Sequence, residues 1–304
     1  MLITLIIIIT LVFFIIRLVP GDPLSSMARN LPDQVKANFY AKYGLVQPLI
    51  IQYFRYMKNL ILRFDMGVSL VFMGRNVKDM IMEAAPISAK INLRALALGV
   101  STGMTLGIIA AYKRNKWPDF LVMFLAILGI SIPGFVLATT LQYFFTVKYM
   151  VLPTIGWTNG AGQFKYTILP MLALSLNSVA IYARYLRASV LDVLGQDYIL
   201  TAKAKGVTGF ALTWRHVMRN AILPAITILG PQIAGVFIGS FVIESIFGIP
   251  GFGQIYVSAI NNRDFTMILA QTIMLNTFYI ISLLAVDILY GLIDPRIRVF
   301  RGKK

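Results

Sequence analysis

Residues Asp197 to Pro224 read DYILTAKAKGVTGFALTWRHVMRNAILP. This is the longest polar interruption in the C-terminal two thirds of an otherwise apolar chain, and it carries Lys203, Lys205, Arg215, His216 and Arg219. Tyr198 to Lys205 is Ala-rich and free of breakers, which predicts a short helix. Gly206 can end that helix in a left-handed turn, and a second short helix is predicted from about Thr208 to Arg219. Thr201, Ala202 and Ala204 are small enough to leave one helical face nearly flat, and a flat face suits docking against another protein.

On either side of this loop the chain is too apolar for a soluble core. Of its 304 residues 58% are hydrophobic and 13% charged, and the mean hydropathy is +0.76. Such a composition calls for the lipid bilayer as solvent and predicts an all-α integral membrane protein. The N-terminal run MLITLIIIITLVFFII is apolar for 16 residues before Arg17. It lacks a basic n-region and a small-x-small cleavage site, so it reads as a retained first span, residues 1–19, with Arg17 snorkelling. Five more apolar runs are long enough to cross: about Leu93 to Tyr112, Phe120 to Val147, Thr167 to Leu186, Ile222 to Phe247 and Met267 to Ile293. Pro133-Gly134 and Gly230-Pro231 lie inside two of them and offer bends. Six spans are therefore expected.

Residues 20–88 are polar enough to leave the membrane as an external helical layer. Leu31-Pro32-Asp33 opens a short helix that Gly44 can close. Gln47 to Leu62 is amphipathic, with Gln52, Arg55 and Asn59 on one stripe and Ile50, Ile51, Phe54, Met57 and Ile61 on the other. Asn76 can cap a third helix, expected to end before Pro86. The remainder divides into a five-span core, residues 89–293, which contains the loop 188–221, and a tail, residues 294–304.

The net charge of +16 fits basic loops held on the cytoplasmic side better than a nucleic-acid surface. Lys113, Arg114 and Lys116, the basic residues of the central loop, and those of the tail all fall on one side, whereas the short loops opposite hold only Lys148, Lys165 and Arg263. Both termini are expected in the cytoplasm.

Chemistry of its own is poorly supported. With no cysteine and one histidine, thiolate metal sites and dyads that need His or Cys are nearly excluded, and no catalytic residue, metal ligand or cofactor is assigned. No GxxxxGK[ST] phosphate loop occurs, so energy for active transport must come from a partner or an ion gradient. A gradient-driven carrier would place ionisable groups mid-membrane, yet Arg184, Glu244 and Asp287 fall near span ends. The span middles hold neutral Ser175, Asn177, Gln232, Gln271 and Asn276, suited to helix–helix hydrogen bonding or to lining a polar path.

The run Thr201-Ala202-Lys203-Ala204-Lys205-Gly206, followed by Asn220-Ala221-Ile222-Leu223-Pro224, resembles the "EAA" loop of the membrane subunits of bacterial ABC importers. More narrowly it is similar to the dipeptide/oligopeptide/nickel permease branch, as are RLVPGDP at Arg17 to Pro23 and LLAVDILYGLIDPRIR at Leu283 to Arg298. Leu200 stands where the general motif has its Glu, so contacts of that carboxylate do not carry over.

The resemblance implies a type I ABC importer permease fold in the bacterial cytoplasmic membrane. It also implies a second homologous permease, two cytoplasmic ATP-binding subunits and an external substrate-binding protein as partners, with Thr201 to Gly206 coupling to the ATPases. Peptides are the implied cargo, with nickel or a metal chelate as the alternative within the branch and an ion-gradient-driven transporter as the alternative outside it. Glu244 to Gly253, ESIFGIPGFG, is read either as a structured loop or, through the resemblance, as an external gate carried by Glu244, Pro250, Gly251 and Gly253.

Overall fold

The computed structural model describes residues 2–18, 33–42, 44–72, 74–160, 162–236 and 239–293. The Val19 to Pro32 stretch, the DPRIR run and the side chain of Asp287 lie outside the described residues. What is described is helical, and its one β-bridge joins Val68 to Asn76. In chain order the α-helices are α1 (Leu2–Leu18), α2 (Asp33–Lys42), α3 (Leu49–Arg63), α4 (Val77–Tyr112), α5 (Trp117–Ser131), α6 (Gly134–Gln142) and α7 (Gln163–Leu194). They continue as α8 (Asp197–Ala204), α9 (Gly209–Leu212), α10 (Met218–Ala221), α11 (Leu223–Val236), α12 (Phe241–Ile246), α13 (Phe252–Asn261) and α14 (Phe265–Ile293).

Among the described residues, α4, α7 and α14 are long and apolar enough to cross a bilayer. Two broken helix pairs can bring the number to five, and α1 and α11 are shorter apolar helices. Six spans are compatible with this set. Pro133 breaks the third expected span sharply: α5 and the helical run Gly134–Lys148 meet at 98°. Ile132, forced out of the helical region by the proline that follows it, is extended at φ −83°, ψ 118°.

One expectation about a proline differs from the outcome. Pro86 does not end a helix; it sits inside α4, which runs unbroken for 36 residues. A proline removes one i→i−4 hydrogen bond, a loss a long helix absorbs when flanking residues such as Ile81, Ala85 and Ile91 are buried. Pro231 lies inside α11, which ends five residues later at Val236.

The chain divides into two compact units, one of Met1–Ser88, Phe237–Phe241 and Pro250–Ile281, the other of Ala89–Val236, Val242–Ile249 and Ser282–Lys304. In the first, Ile9 and Phe13 of α1 bury against Leu60, Val77, Ile81, Phe252, Met267 and Ala270. Arg17 does not simply extend outward: its guanidinium lies 3.7 Å from the Phe13 ring centre and Nε donates to Gln52 Oε1 at 3.3 Å. An aromatic face and an amide oxygen close at hand outcompete the reach to an interface. Gly44 ends α2 as expected, at φ +67°. On α3 the residues packed inward are Tyr53, Tyr56, Met57 and Leu60, while Ile50, Ile51, Phe54 and Ile61 stay exposed. Asp264 ties the 65–76 segment to the start of α14, accepting from Ser69 Oγ and from the backbone N–H of Leu70 (3.2 Å) and Met267 (3.1 Å).

The second unit is organised around α7. Gly99, Gly103 and Gly107 of α4 repeat every fourth residue and let the two helices touch along one line. A Cβ on Gly103 would stand 2.6 Å from the carbonyl oxygen of Val179, and one on Gly107 would stand 2.7 Å from that of Ala183. Small residues at this spacing are the usual means of close helix approach in membranes. At the turn of the hairpin formed by α4 and α5, Asp119 of α5, almost fully buried, accepts a two-pronged pair of hydrogen bonds from Arg187 of α7 at 2.5 and 2.7 Å.

Candidate functional site

The loop Asp197 to Pro224 is a folded substructure of the second unit. Helix α8 ends in a glycine turn: Gly206 has φ +82°, its N–H donates to the Lys203 carbonyl at 2.9 Å, and Val207 N–H donates to the Ala202 carbonyl at 3.1 Å. These two crossed bonds, with Ala202 and Val207 in one apolar cluster, form a Schellman ending that only a residue tolerant of positive φ fits well. The expected second helix is present in three pieces, α9, a π-helical turn Thr213–Val217, and α10.

Burial fixes this assembly to its unit. Ile199 and Ala202 of α8, with Leu212, Val217, Met218 and Ala221, pack on Ala111 of α4 and on Leu186 and Val190 of α7. Two polar links add direction: Tyr112 Oη pairs with Thr213 Oγ1 at 2.7 Å, and Asn220 Nδ2 donates to Tyr198 Oη at 2.7 Å. The loop is thus joined to the ends of two long helices by a continuous apolar core, the arrangement needed to pass a displacement as a rigid body.

Of the predicted docking residues, Thr201, Lys203, Ala204, Lys205 and Gly206 are exposed, but Ala202 is 7% exposed and belongs to the core of its own chain. Leu200, at the position of the missing carboxylate, is 58% exposed. Sequence reasoning missed a second feature of the same surface. Phe210 and Trp214 are 78% and 57% exposed and stack with ring centres 5.9 Å apart. Their i, i+4 spacing on a helix is the signal in the sequence that pairs them. His216 lies on the π-helical turn, half-buried, and among the described residues no three of His, Asp and Glu cluster as metal ligands would.

The residues of the second predicted site fall in both units. In the second unit Glu244 of α12 is 2% exposed, and its carbonyl accepts the Ile249 N–H at 2.9 Å. The turn at Gly248 is stitched there by Gly156 N–H to the Phe247 carbonyl (2.9 Å) and by Gln142 Nε2 to the Ile246 carbonyl (3.2 Å). In the first unit Gly251 precedes α13, while Gly251 and Gly253 are buried and Pro250 is exposed. Phe252 donates its N–H to Ser88 Oγ at 2.8 Å and accepts from Gln271 Nε2 at 2.9 Å. The polar residue Gln271, expected to bond between helices, does so through this carbonyl.

Comparison with known proteins bears on the whole chain. Residues 103–299 match the family described as the binding-protein-dependent transport system inner membrane component. The dipeptide transport system permease protein DppB of Bacillus subtilis (strain 168) is 42% identical over 298 residues, covering 98% of this chain and 95% of that protein. The oligopeptide transport system permease protein OppB of Escherichia coli (strain K12) is 43% identical over 296 residues, covering 97% and 95%. The fold is shared with an amino acid ABC transporter crystallised with histidines (TM-score 0.52, 17% identity, 72% of this chain and 94% of that one). It is shared also with the MetNI methionine ABC transporter in an inward-facing form (TM-score 0.50, 14% identity, 71% and 96%).

Proposed function

The chain belongs to the binding-protein-dependent transport system inner membrane component family, and from that premise we propose that it carries di- and oligopeptides into the cell as one permease of an ABC importer. It is a transport subunit and not an enzyme, as its relatives are named permease proteins. Peptide cargo is supported by the names of those relatives, which are dipeptide and oligopeptide permeases.

In this reading two cytoplasmic ATP-binding subunits supply the energy, a second homologous permease completes the pathway, and an external binding protein delivers the peptide. The observation that carries it is the loop Asp197 to Pro224: one face is locked to α4 and α7 by buried apolar contacts, while Thr201, Lys203, Ala204, Lys205 and Gly206 remain outside. When ATP closes the ATPase pair, the exposed face of α8 is displaced and the ends of α4 and α7 move with it. Residues 20–88 then form an external layer, 89–293 the span core and 294–304 a cytoplasmic tail, with both termini inside. Glu244, Pro250, Gly251 and Gly253 belong to an external gate.

Reconstitution of the complete transporter tests the coupling. Ala204→Arg puts a long charged side chain on the exposed face and should abolish stimulated ATP hydrolysis and uptake while the complex still assembles. Normal hydrolysis and uptake would remove α8 from the coupling path. Topology is tested separately, since the chain has no cysteine: Arg75→Cys should label with an impermeant reagent from outside and Gly209→Cys only from inside.

A further inference from the structure

Helix α7 is covered on three of its sides. Ser178, Val179, Tyr182 and Leu186 meet the glycines of α4; Leu176, Ala180 and Arg187 meet Gly129 and Asp119 of α5; and Ser178 Oγ lies 3.5 Å from Gln232 Oε1 of α11. At about 100° per residue these contacts leave one arc, which carries Asn177, Ile181, Arg184 and Ala188. Asn177, Arg184 and Ala188 are exposed. Arg184 lines a recess of about 290 Å³ with Ile130, Ile181, Tyr185 and Ala188. Among the described residues neither Arg184 nor Asn177 has a hydrogen-bond or ion-pair partner.

A guanidinium and an amide on the outer face of a spanning helix are costly against acyl chains. Snorkelling answers this for Arg184, one turn from the Arg187–Asp119 pair at the hairpin end, but not for Asn177. Asn177 sits about 10 Å farther along the helix and its side chain is too short to reach an interface. The arc is therefore unsuited to lipid. Its one formal charge is a planar fork that no carboxylate among the described residues fills, suited to bidentate contact with an incoming carboxylate.

We propose that the Asn177–Ala188 arc of α7 is this chain's share of the aqueous substrate path, and that Arg184 recognises the C-terminal carboxylate of the passing peptide. The proposal rests on the peptide-importer reading above. Ile130, Ile181 and Tyr185 flank the guanidinium with apolar surface, which accepts varied terminal side chains while the charge selects the one group every free peptide shares.

The test uses the complete transporter in liposomes, with a transported peptide and its C-terminal amide loaded to equal occupancy on the binding protein. Arg184→Gln should lower uptake of the free acid about tenfold or more, leaving uptake of the amide and ATP hydrolysis near wild type. Arg184→Lys should fall between, since it keeps the charge and loses the fork. Equal loss for both peptides, or no loss for either, overturns carboxylate recognition. In the same complex, Asn177→Cys should react with a small hydrophilic thiol reagent, read by mass on this cysteine-free chain; an inert thiol overturns the water-facing arc. If the wild-type complex takes up neither peptide, it is the peptide-importer reading that fails, and the thiol result still stands or falls independently.

Discussion

Glycine is required in two regions of this protein for opposite reasons. Along the α4–α7 seam Gly103 has ordinary helical backbone, and what matters is the volume it lacks: its missing Cβ would meet the Val179 carbonyl oxygen at 2.6 Å and Tyr182 Cβ at 2.8 Å. At the end of α8 Gly206 has open space on its Cβ side, with nothing within 4 Å, and what matters is its φ of +82°. The seam is a steric constraint between two helices, and the turn is a torsional constraint within one segment. The first cannot be relieved without moving backbone; the second can be met by any residue that tolerates the left-handed region.

That contrast is open to measurement. The largest effect is expected from Gly103→Leu, which drives a side chain into backbone on the facing helix and should cost about 3 kcal/mol or more, seen as loss of monodisperse protein after detergent extraction. Next is Arg187→Ala, which leaves Asp119 buried without its partner. Because Arg187 itself is partly exposed, about 2 to 3 kcal/mol is expected, read as a lower midpoint in thermal unfolding, with Asp119→Ala/Arg187→Ala together costing less than the sum of the two.

Gly206→Val should cost about 1 to 2 kcal/mol from the left-handed backbone alone, together with weaker coupling of ATP hydrolysis to transport. The smallest effect, a few tenths of a kcal/mol, is expected for Gly206→Asn, because asparagine tolerates positive φ. The pairing is the discriminating part: asparagine should be accepted at 206 and rejected at 103. Equal tolerance at both positions would mean that the seam is not a tight contact.

Much of the candidate site was legible in advance. The Ala-rich run, the Gly206 stop and the restart near Thr208 are local signals, and helix ends follow local signals because capping and φ preferences act within a few residues. The inward turn of Ala202 was not legible: on a helix of eight residues every side looks small, and the buried side is chosen by Leu186, Val190 and Ala111, far away in sequence. Pro86 misled for the same reason, since a local rule against helix was outweighed by packing along a 36-residue element. The repeat Gly99, Gly103, Gly107 was present to be read, but a stripe of small residues acquires meaning only once a partner helix lies against it. Arg17 and Asn177 show the same dependence, one finding an aromatic ring and an amide, the other left facing outward by the neighbours α7 acquired.

From the sequence alone came the apolar composition that calls for a bilayer, the places where helices start and break at Gly44, Pro133 and Gly206, and the motif that marks the membrane component of an importer. These are properties of short windows, in which hydropathy, torsional preference and residue spacing are complete in themselves. Only the tertiary structure decided which face of each helix is spent on packing. That choice sets Ala202 inside and Lys203 outside, closes Asp119 onto Arg187, and leaves Asn177 and Arg184 uncovered, because burial is a relation between residues that the chain brings together only when it folds.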